Sequence, residues 1–171
     1  GVEIRQKSLH AFIHFIRSAW ELDSDSRITC HSNFAFDASV EDLYPVLTVG
    51  GTLLIVPEQE RKDLALLHRY IVDNGITGGC YTTQLGVMLL RMYPDLPVKY
   101  LVVGGEKLST IPQCGTRLIN TYGPTEFTVD ATFRELAPDD DADAIPIGRP
   151  LPNIYALVMD QFGHLLPFGV K

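Results

Sequence analysis

The amino-acid sequence predicts an α/β protein: a layered, mostly parallel sheet flanked by helices, with a β-rich C-terminal part. Helical and strand-like segments alternate through the first three quarters of the 171 residues. Several strand-like segments are continuous apolar runs, which is typical of parallel strands buried on both faces. Later strand-like segments follow one another without helices. We therefore expect about 1–128 to form an α/β core and about 129–171 to form a β-rich segment.

Four segments carry apolar residues at the three- to four-residue spacing of an amphipathic helix. They are residues 8–20, 37–47, 63–73 and 84–92. Ser8 is the predicted N-cap of the first helix, and Asp37 begins the second. Glycine or proline follows each of the helices after the first, as expected where helices end.

The predicted strands are short and rich in apolar or β-branched residues. In the α/β core they are residues 27–30, 52–56, 76–81, 99–103 and 117–120. In the β-rich segment they lie around residues 131–133 and 155–159.

Composition excludes several classes of protein. Fourteen basic against 21 acidic side chains give a net charge of −7, whereas binding to duplex nucleic acid needs clustered Lys and Arg. Asp139, Asp140, Asp141 and Asp143 form an acidic run that we interpret as a solvated loop. No apolar stretch approaches the roughly 20 residues of a membrane span.

Cysteine and histidine spacing indicates neither a disulfide scaffold nor a zinc site. Cys30, Cys80 and Cys114 are widely separated and form no Cys-x-x-Cys pair, so a reduced cytoplasmic setting is expected. His10 and His14 share a helix face but have no third ligand nearby in the sequence.

Two glycine-containing segments follow predicted strands, where α/β proteins bind ligands. Gly-x-Gly-x-x-Gly, Walker and Gly-x-Ser-x-Gly motifs are absent from the sequence. Gly104-Gly105-Glu106 follows one strand, and the segment 120–126 follows the next. The second segment offers an aromatic face, a hydroxyl and a carboxylate of the kind that holds Mg²⁺ beside phosphates. These residues alone are consistent with a nucleotide–magnesium site or with two turns that cap the sheet.

The motif strings resemble those of one family. Residues 120–126, Asn-Thr-Tyr-Gly-Pro-Thr-Glu, resemble the Tyr-Gly-Pro-Thr-Glu motif of the adenylate-forming superfamily. Residues 36–40, Phe-Asp-Ala-Ser-Val, resemble the Phe-Asp-x-Ser motif of amino-acid adenylation domains in nonribosomal peptide synthetases. Gly148-Arg149-Pro150 with Asn153 resembles the segment that follows in that family. The resemblance covers essentially the whole chain and implies the central part of the large N-terminal subdomain of such an enzyme.

The resemblance also implies what lies outside these residues. The start of the chain is similar to the stretch after the family's phosphate loop, and its end to the stretch before the family's Gly-Glu-Leu motif. The phosphate loop, the ribose-binding Asp and the C-terminal catalytic Lys are therefore expected elsewhere. The 171 residues alone are expected to be inactive.

The resemblance implies a reaction and its cofactors. Such domains condense an amino acid with ATP to an aminoacyl adenylate and then load the phosphopantetheine thiol of a peptidyl carrier protein domain, alongside other synthetase modules. Thr125 and Glu126 would be catalytic, with Thr125 on a phosphate and Glu126 as the Mg²⁺ ligand. The expected nucleotide-binding residues are Gly104, Gly105, Glu106, Asn120, Tyr122 and Thr125. Turn hydrogen bonds are the alternative role for Asn120 and Glu106.

Asp37 matches the family residue that pairs with the α-ammonium of the amino acid, its alternative role being a helix cap. The matching positions of the side-chain pocket are Asp37, Ala38, Glu41, Cys80, Val102, Gly104, Thr121, Val129 and Asp130. Because two further acidic residues in a closed pocket need a cation, we expect a basic amino acid such as ornithine, lysine, diaminobutyrate or arginine. The alternative is that Glu41 or Asp130 faces solvent or an arginine.

The sequence departs from the family pattern at one segment and is compatible with two other functions. Thr82-Thr83-Gln84 stands where the family usually has a Pro-Pro-Thr ending, so Cys80 is the least secure pocket residue. A D-alanine–carrier protein ligase or an acyl/aryl-CoA synthetase is the second enzyme interpretation. A noncatalytic binding module that keeps the fold is the third.

Overall fold

A computed structural model describes residues 1–137, 140–141, 145–167 and 169 of the chain. Five α-helices are interspersed with the first four strands, and the fifth strand follows the fourth with no helix in the described residues between them. The helices are α1 (Gln6–Ala19), α2 (Ala38–Thr48), α3 (Glu58–Lys62), α4 (Leu64–Asp73) and α5 (Thr83–Met92). The strands are β1 (Arg27–Cys30), β2 (Thr52–Ile55), β3 (Gly78–Thr82), β4 (Tyr100–Gly104), β5 (Arg117–Tyr122), β6 (Thr132–Leu136) and β7 (Arg149–Pro150).

All seven of these strands form one sheet in the order β2-β1-β3-β4-β5-β6-β7. The pairs from β2 to β5 are parallel, and β5–β6 and β6–β7 are antiparallel. This arrangement confirms the predicted α/β class with its mostly parallel sheet. The parallel strands end together near Cys30, Thr82, Gly104 and Tyr122, so the loops after them meet at one edge.

Side chains of β4 alternate between two apolar cores, one on each face of the sheet. Leu101 and Val103 pack in a cluster with Leu67 of α4 and Leu89 of α5. Tyr100 and Val102 pack in a second cluster, which includes Phe12 and Ile16 of α1 and Val46 of α2. The sheet is therefore covered on both faces, which explains why its central strands are continuous apolar runs.

Two helix starts differ in how well the sequence predicted them. Helix α1 begins at Gln6 rather than after Ser8, and its N-cap Arg5 makes no side-chain cap bond. The predicted Ser8 cap is therefore wrong, and Ser8 lies inside the first turns. Asp63 does cap α4, because its Oδ1 accepts hydrogen bonds from the backbone N–H groups of Ala65 and Leu66 at 2.8 and 3.0 Å.

The segment after β7 differs from its prediction. Residues 155–159 do not form a strand, and only an isolated antiparallel bridge joins Met159 to Leu165. Tyr155 is 91% exposed, so the apolar pattern there lacks a neighbouring strand to pair with among the described residues. No helix in the described ranges is long and apolar enough to cross a membrane.

The acidic run between β6 and β7 is only partly described. The Asp140 carboxylate accepts hydrogen bonds from the Arg134 guanidinium and from the backbone N–H of Ala137. Asp140 therefore ties the start of the loop to β6 and is not a fully solvated charge. Asp141 is exposed, and Asp139 and Asp143 lie outside the described residues.

Candidate active site

A cleft of about 420 Å³ opens at the edge where the parallel strands end. We call it the acidic cleft. It brings together eight of the nine predicted pocket residues, namely Asp37, Ala38, Glu41, Cys80, Gly104, Thr121, Val129 and Asp130. Their positions span α2, β3, β4, β5 and the turn after β5, so the fold gathers residues that are far apart in sequence.

Asp37 is half-buried directly before α2. Its backbone is helical, with φ −64° and ψ −25°, and its side chain makes no cap hydrogen bond to the helix. An N-cap residue normally adopts extended angles and accepts such a bond. The structure therefore does not support the helix-cap alternative and leaves the Asp37 carboxylate facing the cleft.

Glu41 and Asp130 are the two most buried carboxyls that line the acidic cleft, and we call their part of it the closed end. They are 6% and 4% exposed, respectively. The Trp20 indole N–H donates a hydrogen bond to Glu41 Oε1 at 3.3 Å, and Asp130 Oδ2 has no hydrogen-bond partner. No ion pair of the described residues involves either carboxyl. The alternative that these side chains face solvent or an arginine is therefore not supported.

Burial makes this end of the cleft prefer the protonated carboxyl. Desolvation, and then the charge of neighbouring Asp42, raise the pKa of Glu41 to about 7. Desolvation, followed by the charge of Glu41, holds the pKa of Asp130 well above its usual range. Asp42 is 1% exposed, and its pKa is raised to about 7, again chiefly by desolvation. At neutral pH these three carboxyls therefore carry much less than three negative charges.

The turn after β4 is held by a residue that the sequence singled out only as a departure from the family pattern. The Thr83 hydroxyl lies 3.2 Å from the carbonyl of Gly104 and 3.1 Å from that of Glu106. Gly105 between them has φ +87°, a left-handed conformation that favours glycine. Thr83 therefore fixes the backbone of the predicted nucleotide-binding turn, while the Glu106 side chain is exposed.

The turn after β5 presents its side chains to solvent. Thr125 and Glu126 lie in an exposed 3-10 turn, Thr125–Phe127, and Tyr122 is 53% exposed. A Cβ on Gly123 would lie 2.2 Å from the Val129 carbonyl oxygen, so this glycine lets the turn pack against the chain that follows. Thr128 and Val129 have positive φ values of 64° and 74°, which turn the chain back toward β6.

Glu126 borders a second cleft of about 510 Å³, between α1 and residues 151–154. Lys7, Phe12 and Asn153 also line this second cleft. Asp130 lines both clefts, so the acidic cleft and the exposed turn meet at this residue. A carboxylate and a hydroxyl side by side on an exposed turn are oxygen donors of the type that Mg²⁺ accepts.

Two of the predicted site residues that lie outside the acidic cleft are buried. Val102 is 1% exposed within the core beneath it, where it borders a small cavity of about 10 Å³ beside Glu41 and Cys80. Asn120 is also buried, and its amide donates a hydrogen bond to the Pro146 carbonyl at 3.5 Å. That bond joins residues 26 positions apart and so is not the turn hydrogen bond named as the alternative role for Asn120. The contact of Asn120 with a nucleotide stays a prediction.

Cys80 lies on β3 at the closed end of the cleft and is 8% exposed. Desolvation, and then the charge of Glu41, raise the pKa of its thiol well above the usual range. A thiol in this state is a weak nucleophile, so Cys80 serves to shape the wall.

Sequence reasoning missed several lining residues. They are His31, Ser32, Asn33, Phe36, Arg61, Tyr81, Thr82 and Gly123. The rule that ligands bind after parallel strands would have found His31 to Asn33, which directly follow β1. No pattern pointed to Arg61, because it lies in the short helix α3, which the sequence did not predict.

Known proteins are similar to this chain in sequence and in fold. The chain matches the family model described as AMP-binding enzyme over residues 1–171. It is 31% identical over 185 residues to tyrocidine synthase 3 of Brevibacillus parabrevis, covering 99% of the chain and 3% of the relative. It is 30% identical over 171 residues to bacitracin synthase 1 of Bacillus licheniformis, covering 100% and 3%, respectively.

Two solved structures match the fold. A four-domain nonribosomal peptide synthetase, holo-AB3403, bound to AMP and glycine matches with a TM-score of 0.86 and 28% identity, over 98% of this chain and 13% of that one. The Vibrio cholerae adenylation domain AlmE, in complex with glycyl-adenosine-5'-phosphate, has a TM-score of 0.83 and 24% identity, over 96% and 33%. The chain thus spans a small part of the proteins that it matches. It belongs to the AMP-binding enzyme family, in which it resembles the adenylation domains of nonribosomal peptide synthetases.

Proposed function

We propose that the full-length protein activates a basic amino acid with ATP. The amino-acid carboxylate attacks the α-phosphorus of ATP, which forms an aminoacyl adenylate and releases pyrophosphate. The phosphopantetheine thiol of a peptidyl carrier domain then takes the aminoacyl group and releases AMP. The carrier domain and other synthetase modules are the partners, the setting is cytoplasmic, and the product class is that of antibiotic biosynthesis.

One observation carries the choice of substrate: two buried carboxyls without a cationic partner at the closed end of a cleft. Half-buried Asp37 lines the same cleft, where it would pair with the α-ammonium. A side chain that extends from the α-carbon into the cleft meets Glu41 and Asp130, which are 6% and 4% exposed. An ammonium or guanidinium group there would satisfy carboxyls that are costly to bury unpaired.

The nucleotide would lie across the two turns at the strand ends. The exposed ring of Tyr122 offers a stacking face for adenine, and the space above Gly105 is open, since a Cβ there would meet nothing within 4 Å. Thr125 and Glu126 supply the oxygen donors for a phosphate and for Mg²⁺. Bound Mg²⁺ would neutralise phosphate charge.

The test is amino-acid-dependent exchange of pyrophosphate into ATP, measured on the full-length protein. The panel contains ornithine, lysine, arginine, D-alanine, phenylalanine and a fatty acid. Exchange with a basic amino acid supports the proposal. Exchange only with D-alanine or the fatty acid would instead support a carrier-protein ligase or a CoA synthetase, and no exchange would support a binding module. The isolated 171 residues are expected to give no exchange.

A substitution at the closed end tests the assignment of the side-chain pocket separately from the enzyme class. Glu41→Ala removes one buried carboxyl, so we expect weaker use of lysine and ornithine and a gain with apolar amino acids. Glu135→Ala, on the exposed face of β6, is the matched control and should leave the panel unchanged. Unchanged use of lysine and ornithine by Glu41→Ala would contradict the assignment of the pocket.

A further inference from the structure

The closed end of the acidic cleft holds more acid than its surroundings can keep ionised. Glu41 and Asp130 are nearly inaccessible to water, and they lie close enough that each shifts the pKa of the other. Asp130 Oδ2 is buried without a hydrogen-bond partner. Two ionised carboxylates placed together in this way would repel each other and lose their hydration. Without a cation beside it, the pair is therefore stable only when it holds a proton.

A cationic side chain reverses this balance. An ammonium group beside the pair favours the ionised carboxylate, because opposite charges within about 4–6 Å stabilise each other. The side-chain ammonium of lysine has a pKa of about 10.4, so it is already charged and takes no proton from the pair at neutral pH. The proton must then leave to solvent.

We propose that the Glu41–Asp130 pair is a proton-coupled cation site, protonated in the substrate-free protein and releasing a proton when a basic side chain enters. This inference rests on the proposed function, since it requires a cationic substrate. It adds a property that the substrate class alone does not imply. The affinity of the site for the side chain of its substrate depends on pH through the protein, while the charge of that side chain stays constant.

Several other groups face the pair and set its charge. Trp20, the C-cap of α1, donates its indole N–H to Glu41 Oε1 at 3.3 Å, which favours ionisation of Glu41. The titratable or charged groups around the pair are Asp37 and Asp42 from the α2 region, Arg61 of α3, Cys80 and Tyr81 of β3, Tyr100 of β4, His31 after β1 and, in the second cleft that Asp130 also lines, Lys7 of α1 and Glu126. Arg61 pairs with no acid among the described residues, and it leaves both carboxyls without an ion pair.

Desolvation of the surrounding groups keeps the proton on the carboxyl pair. Burial raises the pKa values of the Cys80 thiol and the Tyr81 and Tyr100 hydroxyls, so these groups stay neutral at pH 7. Burial, and then the charge of Arg61, lower the pKa of His31, which is therefore neutral as well. Asp42 is the remaining acid with a raised pKa, and its Oδ2 accepts a hydrogen bond from the Ser32 backbone N–H at 3.4 Å.

Calorimetry on the full-length protein measures the released proton directly. Lysine and ornithine are titrated at about pH 6.5 in buffers with different ionisation enthalpies, and the slope of the observed heat against that enthalpy gives the protons released. We expect on the order of one proton for each bound amino acid. Glu41→Gln and Asp130→Asn should each abolish most of the release, and Glu135→Gln, an exposed carboxyl on β6, should leave it unchanged.

The pH dependence of exchange gives a second measurement that does not depend on a variant. With a pair that ionises near pH 7, the KM for lysine or ornithine should fall roughly tenfold between pH 6 and pH 8, while the side-chain ammonium of both substrates stays charged. A KM that is constant across this range, or binding without proton release, would overturn the inference and leave the proposed function standing. Failure of every basic amino acid to bind or exchange would overturn both.

Discussion

The two ends of the site use the same chemical group in opposite ways. Glu41 and Asp130 are carboxyls at the closed end, 6% and 4% exposed, whereas Glu126 is an exposed carboxylate in the turn after β5. Burial without a cation raises the pKa values of the first two. Hydration therefore separates the proposed roles of these carboxyls: the buried pair would select a cation, and the exposed carboxylate would be available to a metal ion.

The largest effect should come from the exposed end. Glu126→Gln removes the predicted Mg²⁺ ligand, and we expect exchange to fall by about 10²–10³-fold with every amino acid, the size typical for loss of one group that stabilises the transition state. Because Glu126 lies on the surface, the free energy of unfolding should change by less than about 0.5 kcal/mol. The kcat of pyrophosphate exchange measures the loss of activity, and hydrogen–deuterium exchange of the β4 backbone amides measures the free energy of unfolding. A kcat within about twofold of the unchanged protein would mean that Glu126 holds no metal.

Substitution of Asp37, the half-buried carboxylate of the acidic cleft, should give the next largest effect. Asp37→Asn keeps the size of the side chain and removes the charge that would pair with the α-ammonium. We expect the KM for the amino acid to rise about 30-fold, the low end for a charge pair that loses one partner, because Asp37 is only half-buried. The KM for ATP should stay constant. Equal changes in both KM values would show that Asp37 supports the fold of the site and not the amino acid.

The buried carboxyls of the closed end should also make the free energy of unfolding depend on pH. Glu41 keeps its proton up to about pH 7 in the folded chain but only to its ordinary value of 4.5 when unfolded. The folded state thus binds more protons in this window, and the free energy of unfolding falls as the pH rises from 4.5 to about 7 and levels off above it. One group contributes at most about 1.4 kcal/mol per pH unit. Without substrate, Glu41→Gln should make this slope shallower, as measured by hydrogen exchange of the β4 amides. An unchanged slope would assign it to Asp42 and Asp130.

The sequence predicted the exposed end more completely than the closed end. The motif at residues 120–126 identified the turn after β5, and the apolar runs predicted the parallel strands that place this turn at one edge of the sheet. Resemblance named Glu41 and Asp130, but whether they face solvent depends on packing between segments that are distant in sequence. The hydrogen bond from Trp20 to Glu41 joins residues 21 positions apart, and so does the bond from Thr83 to Gly104. Such contacts leave no local pattern.

The Ser8 and 155–159 predictions failed for a related reason. Serine is a residue type that often caps helices, but α1 begins earlier, at Gln6, so Ser8 lies inside the helix. Residues 155–159 have the apolar content of a strand, but a strand also needs a partner, and the structure provides a single bridge at Met159. Both cases show that local propensity is overridden by what lies next to the segment.

The smallest effect should come from an ion pair remote from both ends. Arg117 Nε and Nη2 donate to the two carboxylate oxygens of Glu135 at 3.0 Å each, across the β5–β6 pair. Both side chains are partly exposed, so Glu135→Gln should cost no more than about 1 kcal/mol of unfolding free energy and should not change either KM. Salt should reduce even this effect, since solvent screens the pair. A loss larger than that caused by Glu41→Gln would mean that charge pairing outweighs hydration in this molecule, and the contrast between buried and exposed carboxyls would no longer explain its site.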